Sequence, residues 1–236
     1  MMWRSLLLLL TGITGPALAA PLVAPVPATP VPAHALPHLA DLAASAPDAD
    51  PKVLGRALQA MQCAAESGMP ASQRLAVIDY SLPSSRPRLW VFDLASGQLL
   101  FHELVAHGRN TGDNEAHFFS NEMNSRSSSI GLFRTLDTYE GGNGYSLRLQ
   151  GLEPGFNDHA YERSIVMHGA PYVNEEHVKK FGRLGRSWGC PAVRMGVAKR
   201  IIDSMKGGQF VFSYYPDSHW LSASQYLNCG SRTASL

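Results

Sequence analysis

The chain has 236 residues, 17% of them charged and 45% hydrophobic, with a formal net charge of +1. That balance is ordinary for a globular protein and offers no basic surface for nucleic acid, which is excluded as an expected partner. Three cysteines, an odd number, leave at least one thiol unpaired.

The first twenty residues, MMWRSLLLLLTGITGPALAA, combine Arg4, an apolar run over 6–10 and the small residues Ala17 and Ala19. This is the pattern of a secretory signal peptide over 1–19, with cleavage expected after Ala19 or Ala20. The run is too short to span about 30 Å of hydrocarbon, and Gly12 and Pro16 interrupt it. Export to the periplasm or cell envelope is expected, with no membrane span left after cleavage. Residues 20–49 are rich in Pro and Ala and read as an extended linker.

A catalytic-sized domain is expected over 50–230. Asp50 reads as a helix cap and Pro51 as the first helical residue, with Leu54, Leu58, Met61 and Ala65 on one face and Gly68 as the stop. Strands follow at 74–80, 88–94 and 98–108, the last two joined by an Ala-Ser-Gly hairpin turn, and further strands at 146–151, 164–169 and 209–215. Short helices are expected at 175–181 and 197–205. Strands dominate at spacings too short for helical crossovers, which predicts a mainly β domain with a few short helices and a largely antiparallel sheet. The polar stretch 107–133 is long for a loop and is expected to wall the active cleft.

Export implies an oxidising compartment, where cysteines tend to be bridged. The simplest arrangement pairs Cys63 with Cys229 and leaves Cys190 free; the alternative is a Cys63 merely buried on its helix. His168 ends the apolar strand Ile165-Val166-Met167, and Cys190 lies 22 positions later, after Gly189. A thiolate is the nucleophilic form of cysteine, so an adjacent imidazole is needed to activate it near neutral pH. Glycine before the cysteine lets a substrate carbonyl approach backbone N–H groups. The duller alternatives are a core histidine and a small buried hydrophobe. The nine histidines show no metal-ligand spacing, nothing local supports a site from His107, His117 and His168, and no cofactor motif is present.

SIVMHGAPYV over 164–173, followed by GRLGRSWGCPAV over 182–193, resembles the murein L,D-transpeptidase catalytic-domain family of the YkuD type. VIDYSLPSSRPRLWVFDL, VAHGRNTG, FSNEMNSRSSSIGLF and SLRLQGLEPGFNDHAYER extend the likeness over about 75–215. The resemblance implies a β-sandwich or barrel-like catalytic domain, a Cys190 nucleophile, a His168 base and the Gly169 carbonyl as its orienting partner. Backbone N–H groups of Trp188, Gly189 and Cys190 would form an oxyanion hole, and Arg194, Arg186 and Ser187 are the candidates for substrate binding. Peptidoglycan stem peptides are the implied substrate and carbapenem-type compounds the implied inhibitors. The implied reaction is acyl transfer, with hydrolysis of the same peptides or wall binding without turnover as alternatives. The sequence departs from the family pattern at Trp188, where relatives keep histidine, and at Arg194, four residues after the cysteine instead of two.

Overall fold

A computed structural model describes residues 38–232, all within the unit Ala35–Leu236. The expected signal peptide and most of the expected linker lie outside these residues. The linker also stops earlier than residue 49. Helix α1 spans Leu39–Ser45 and buries Leu42, and its exit puts Ala46 and Ala49 into the core. After Pro37 the text LADLAAS holds good helix formers and no proline, which is reason enough for a helix there.

Helix α2, Pro51–Glu66, starts at the expected cap: the Asp50 carboxylate accepts the Lys52 N–H at 2.8 Å, with Pro51 in the first turn. Its buried stripe is Val53, Leu54, Ala57, Ala60, Met61 and Ala64. The expected stripe is therefore rotated, with Ala65 exposed and Leu58 only half-buried. The alanines allow α2 to sit close on the sheet, and Cys63 on the same helix is disulfide-bonded to Cys229, their Cα atoms 5.8 Å apart.

The strands are β1 (Arg74–Asp79), β2 (Leu89–Asp93), β3 (Leu99–Glu103), β4 (Val105–Ala106), β5 (Gly131–Gly141), β6 (Gly144–Gly151), β7 (Val166–Ala170), β8 (Ala192–Arg194) and β9 (Phe210–Tyr214). Among the described residues they form one sheet in the order β3-β2-β1-β9-β5-β6-β7-β8-β4. Pairing is antiparallel except at β1 with β9 and at β7 with β8. The second exception is a crossover through helix α3, Glu175–Phe181, a connection that the short spacings had argued against. The outermost strands β3 and β4 are separated in the chain by Leu104 alone. The chain thus steps from one end of the sheet to the other, and the sheet curls into a nearly closed, barrel-like form.

Strand β5 was not foreseen. Its first residues fall at the end of the presumed loop, and a register irregularity between Thr135 and Thr138 breaks its alternation. The Gly141-Gly142-Asn143-Gly144 turn joins it to β6, with Gly144 at φ 72°.

Alternation along the central strands feeds two cores. Leu75, Val77, Trp90, Phe92, Phe210 and Phe212 pack with α2 and Trp220. Ala76, Ile78, Val91, Val211, Met167 and Val193 pack with Ile201, Ile202 and Met205 of helix α4, Met195–Met205. These strands are covered on both faces, which is why they read as continuous apolar runs. Helices α5 (Ser218–Ala223) and α6 (Cys229–Arg232) complete the chain's described part. Trp220 of α5 donates its indole N–H to the buried Glu153 carboxylate at 2.9 Å, which also accepts the Leu132 N–H at 2.7 Å. Among the described residues, no helix is long and apolar enough to cross a membrane.

Candidate active site

The parallel pairing of β7 and β8 brings His168 and Cys190 together. His168 sits opposite Ala192, two residues beyond the cysteine, and its N–H points to Pro191 O at 3.4 Å. Both side chains line a cleft of about 320 Å³ with Asn143, Tyr172, Arg186, Ser187 and Trp188. Cys190 is the free cysteine of the described chain and is only 7% exposed. Gly169, next to His168, has no room for a side chain: a Cβ there would stand 2.9 Å from Ala198 Cβ and 3.0 Å from Met195 Sδ. Its bare backbone lets α4 close on β7.

The imidazole is held by one bond. His168 Nδ1–H donates to Gly169 O at 2.9 Å, which fixes the tautomer and leaves Nε2 as the unprotonated ring nitrogen. Burial pushes the His168 pKa below 6.5, against the opposing pull of the Gly169 carbonyl. The neutral, proton-accepting form therefore prevails at neutral pH. Cys190 Sγ does not hydrogen-bond to that imidazole in the resting structure. It donates to Ser164 O at 3.7 Å and accepts the Val166 N–H at 3.5 Å. Burial raises the thiol pKa, while the Val166 N–H and the charge of Arg163 oppose that rise. The resting pair is a neutral thiol and a neutral imidazole.

The turn before the cysteine is built around Ser187. Its hydroxyl donates to Cys190 O at 2.6 Å and accepts the Gly189 N–H at 3.1 Å. This bears on two expectations. Ser187 shapes the turn while also lining the cleft, and the Gly189 N–H is engaged by its hydroxyl and not free for an oxyanion in this structure. The N–H groups of Trp188 and Cys190 have no protein acceptor outside their own residues among those described, so they are the donors left for that role. Gly189 is required for another reason: its φ is +125°, and a Cβ would lie 2.8 Å from both Ser127 O and Ile165 Cδ1. Gly189 O in turn accepts from Ser128 Oγ at 3.0 Å, tying the turn to the 107–130 segment.

That segment walls the cleft in part. It backs the turn before Cys190 through Ser127 and Ser128, and it meets the cleft lining where Gly112 O and Asp113 hold Arg186 and where the Arg126 guanidinium stacks 4.8 Å over the Trp188 ring. Trp188 itself is 69% exposed, so the residue that replaces histidine offers an open aromatic face.

The two arginine candidates separate cleanly. Arg194 spends its guanidinium on Glu103 in a two-pronged pair, 2.7 Å to each oxygen, and does not line the cleft. It pins β8 to β3 and is removed from the substrate-binding set. Arg186 lines the cleft while bonding Asp113 Oδ1 at 2.6 Å and Gly112 O at 3.1 Å. Three residues at the site went unread in the sequence. Tyr172 follows β7 and has its phenol pushed up to about 12 by burial and then by Cys190. Asn143 rides on the β5–β6 turn, which the sequence marked as a turn and nothing more. Arg163 lies against the turn before Cys190, and Arg followed by Ser carries no local signal. His107 is buried against Arg88, far from ligand duty: its Nδ1 accepts from Arg88 Nη2 at 2.8 Å. The one cluster of potential metal ligands among the described residues is Cys63, Glu66 and Cys229, whose two sulfurs are bonded to each other.

The fold and this site can be set beside known proteins. The sequence profile of the L,D-transpeptidase catalytic domain, of the YkuD type, matches residues 45–214. The chain belongs to that family of enzymes. Among solved structures, an L,D-transpeptidase from Mycobacterium smegmatis is 14% identical, with 61% of this chain and 60% of that chain covered and a TM-score of 0.39. One from Xylanimonas cellulosilytica is 16% identical, with 65% and 68% covered and a TM-score of 0.34. The L,D-transpeptidase LdtMt1, solved in complex with imipenem, is 15% identical, with 61% and 60% covered and a TM-score of 0.39. The chain thus spans about 60% of the length of two of these structures. No curated protein sequence matches the chain.

Proposed function

We propose that this chain is an exported cysteine acyltransferase that performs L,D-transpeptidation on peptidoglycan stem peptides through a Cys190 acyl-enzyme. The observation that carries the reading is the bond from His168 Nδ1 to Gly169 O, which leaves Nε2 unprotonated on a side chain lining the same cleft as the free thiol. Export rests on the signal-like residues 1–19 and agrees with a chain that holds one disulfide.

In the proposed reaction His168 Nε2 takes the Cys190 proton as the thiolate attacks a stem-peptide carbonyl at diaminopimelate. The N–H groups of Trp188 and Cys190 receive the oxyanion, a type of contact worth about 10²–10³ in rate per donor. His168 then returns its proton to the leaving amine of D-Ala, and the thioester remains on Cys190. An acceptor amine attacks the thioester and regenerates the thiol; water in its place gives the hydrolytic outcome. Arg186 is the cation placed to meet a substrate carboxylate, and Tyr172 and Asn143 line the same space. Carbapenems would acylate the same thiol.

Purified tetrapeptide stems test this, with products weighed by mass spectrometry in the presence and absence of an acceptor amine. Wild-type protein is expected to yield cross-linked dimer and to lose it on Cys190→Ala. Equal turnover by that variant would sink the assignment, and release of D-Ala without dimer at any acceptor concentration would make the enzyme a carboxypeptidase.

A further inference from the structure

The cleft holds His168 and no second histidine, yet burial alone would keep the Cys190 thiol protonated. The structure holds a fixed cation beside it. Arg163 precedes Ser164, the residue whose carbonyl meets Cys190 Sγ. Its Nη1 donates to Ser120 O and Ser129 Oγ, each at 2.6 Å, and its Nη2 to Ser127 O at 2.6 Å and Ser125 Oγ at 3.0 Å. All four acceptors are neutral. Among the described residues no carboxylate is within ion-pair distance of Arg163.

A part-buried guanidinium with only neutral partners is an unbalanced charge in a poorly solvated place. Its position relative to the nucleophile turn is fixed by Gly189: a Cβ on that residue would stand 3.5 Å from Arg163 Nη2. Ser127 O is shared, since it receives the Arg163 bond and would also touch that Cβ. The cation is therefore clamped beside Gly189, the residue before Cys190.

We propose that Arg163 is a positioning residue whose fixed charge stabilises the Cys190 thiolate, doing from beneath the turn what a second histidine would do beside it. The proposal rests on the assignment of Cys190 as nucleophile. The proton leaves Sγ for His168 Nε2, and the resulting thiolate faces imidazolium on one side and guanidinium on the other. The other titratable or charged neighbours are Tyr172 and Arg186 in the cleft, Arg126 over the Trp188 ring, and Tyr80, which directly follows β1. The two phenols stay neutral, held by burial near 12. Glu122 is an acidic neighbour of Arg163 that forms no ion pair with it.

The pH dependence of Cys190 alkylation by iodoacetamide, followed by intact mass under non-reducing conditions, reads this directly. Arg163→Gln retains donors for Ser127 O and Ser125 Oγ but loses the charge. It is expected to move the alkylation midpoint up by about one pH unit, so that the rate at pH 7 falls about tenfold. Arg163→Lys is expected to restore most of the loss. A Ser125→Ala, Ser129→Ala double variant loosens the clamp with the charge kept, and should leave the midpoint in place. An unshifted midpoint in folded Arg163→Gln, or an equal shift in the serine double variant, overturns the proposal. Should Arg163→Gln fail to fold, Arg163→Lys decides: a midpoint within about 0.3 units of wild type supports the charge, and a full upward shift refutes it. Alkylation needs no substrate, so failure here is distinct from failure of the transpeptidase reading, which Cys190→Ala tests by turnover.

Discussion

Replacing Gly189 by alanine probes the turn before Cys190 with one methyl group. The residue sits at φ +125°, where a Cβ is strained, at a cost of about 1–3 kcal/mol. The methyl would also press on two neighbours at 2.8 Å, Ile165 Cδ1 and Ser127 O. The isoleucine end can rotate away. The carbonyl cannot, because Arg163 Nη2 holds it at 2.6 Å. Relieving that contact adds a further cost of about 1–3 kcal/mol. A loss near 3 kcal/mol, at the lower part of the sum, lowers Tm by roughly 6–12 °C for a domain of this size. The turn relieves the clash by moving, and displacement of the thiol by about 1 Å costs on the order of 10² in kcat/KM. Thermal melts by circular dichroism and turnover of a tetrapeptide stem measure both effects. Gly196→Ala is the control, since a Cβ there meets nothing within 4 Å and alanine favours helix α4. A Gly189→Ala protein that melts within about 2 °C of wild type and turns over within twofold would refute the packing argument.

Other outcomes follow from the same contacts. His107 is wholly buried with its pKa driven down from 6.5 to about 4, by burial first and Arg88 second. Between those values the unfolded chain binds the extra proton, so stability is complete above pH 6.5 and falls by up to about 3 kcal/mol as the pH drops to 4. Urea melts at pH 7.5 and 4.5 should show this loss, and His107→Asn should flatten it. Arg194→Ala should destabilise by roughly 1–2 kcal/mol by stranding the mostly buried Glu103 carboxylate, while leaving KM for stem peptides within twofold. Arg186→Ala, by contrast, should raise KM several-fold, and the reverse result would return Arg194 to the cleft. Reducing the disulfide releases a loop of 166 residues, for which chain entropy allows up to about 5 kcal/mol. Calorimetry with and without reductant measures it, and an unchanged Tm would show that helices α2 and α6 need no tether.

Where local chemistry dictates structure, the sequence was readable. Asp50 and Pro51 set the start of α2, and the apolar runs of β1, β2 and β9 are legible because they are buried on both faces. Cys190 and His168 stand out through their glycine neighbours and the motif around them. What escaped depends on partners far away in sequence. Arg194 looks free until Glu103, 91 positions earlier, comes beside it through the β3–β4 link. The Gly189 N–H looks available until the Ser187 hydroxyl folds back onto it. Strand β5 is concealed by its irregular register, and β8 has three residues, too few for alternation to register. Arg163 has no motif at all; its meaning lies in four loop oxygens gathered from residues 120–129.

The single residue between β3 and β4 sets how the cleft is able to breathe. Leu104 is buried, the Glu103–Arg194 pair crosses beside it, and β4 pairs directly with β8, the strand that follows Cys190. That side of the barrel is closely tied, and Cys190 sits at its edge, two residues before β8. The facing wall ends in the exposed glycine-rich tip around Asn143, which no such tie restrains. If the proposed function holds, room for a bulky substrate is expected to come from the hairpin tip and not from the tied side. Amide exchange should accordingly run fast at 141–144 and slowly at 104–106 and 192–194.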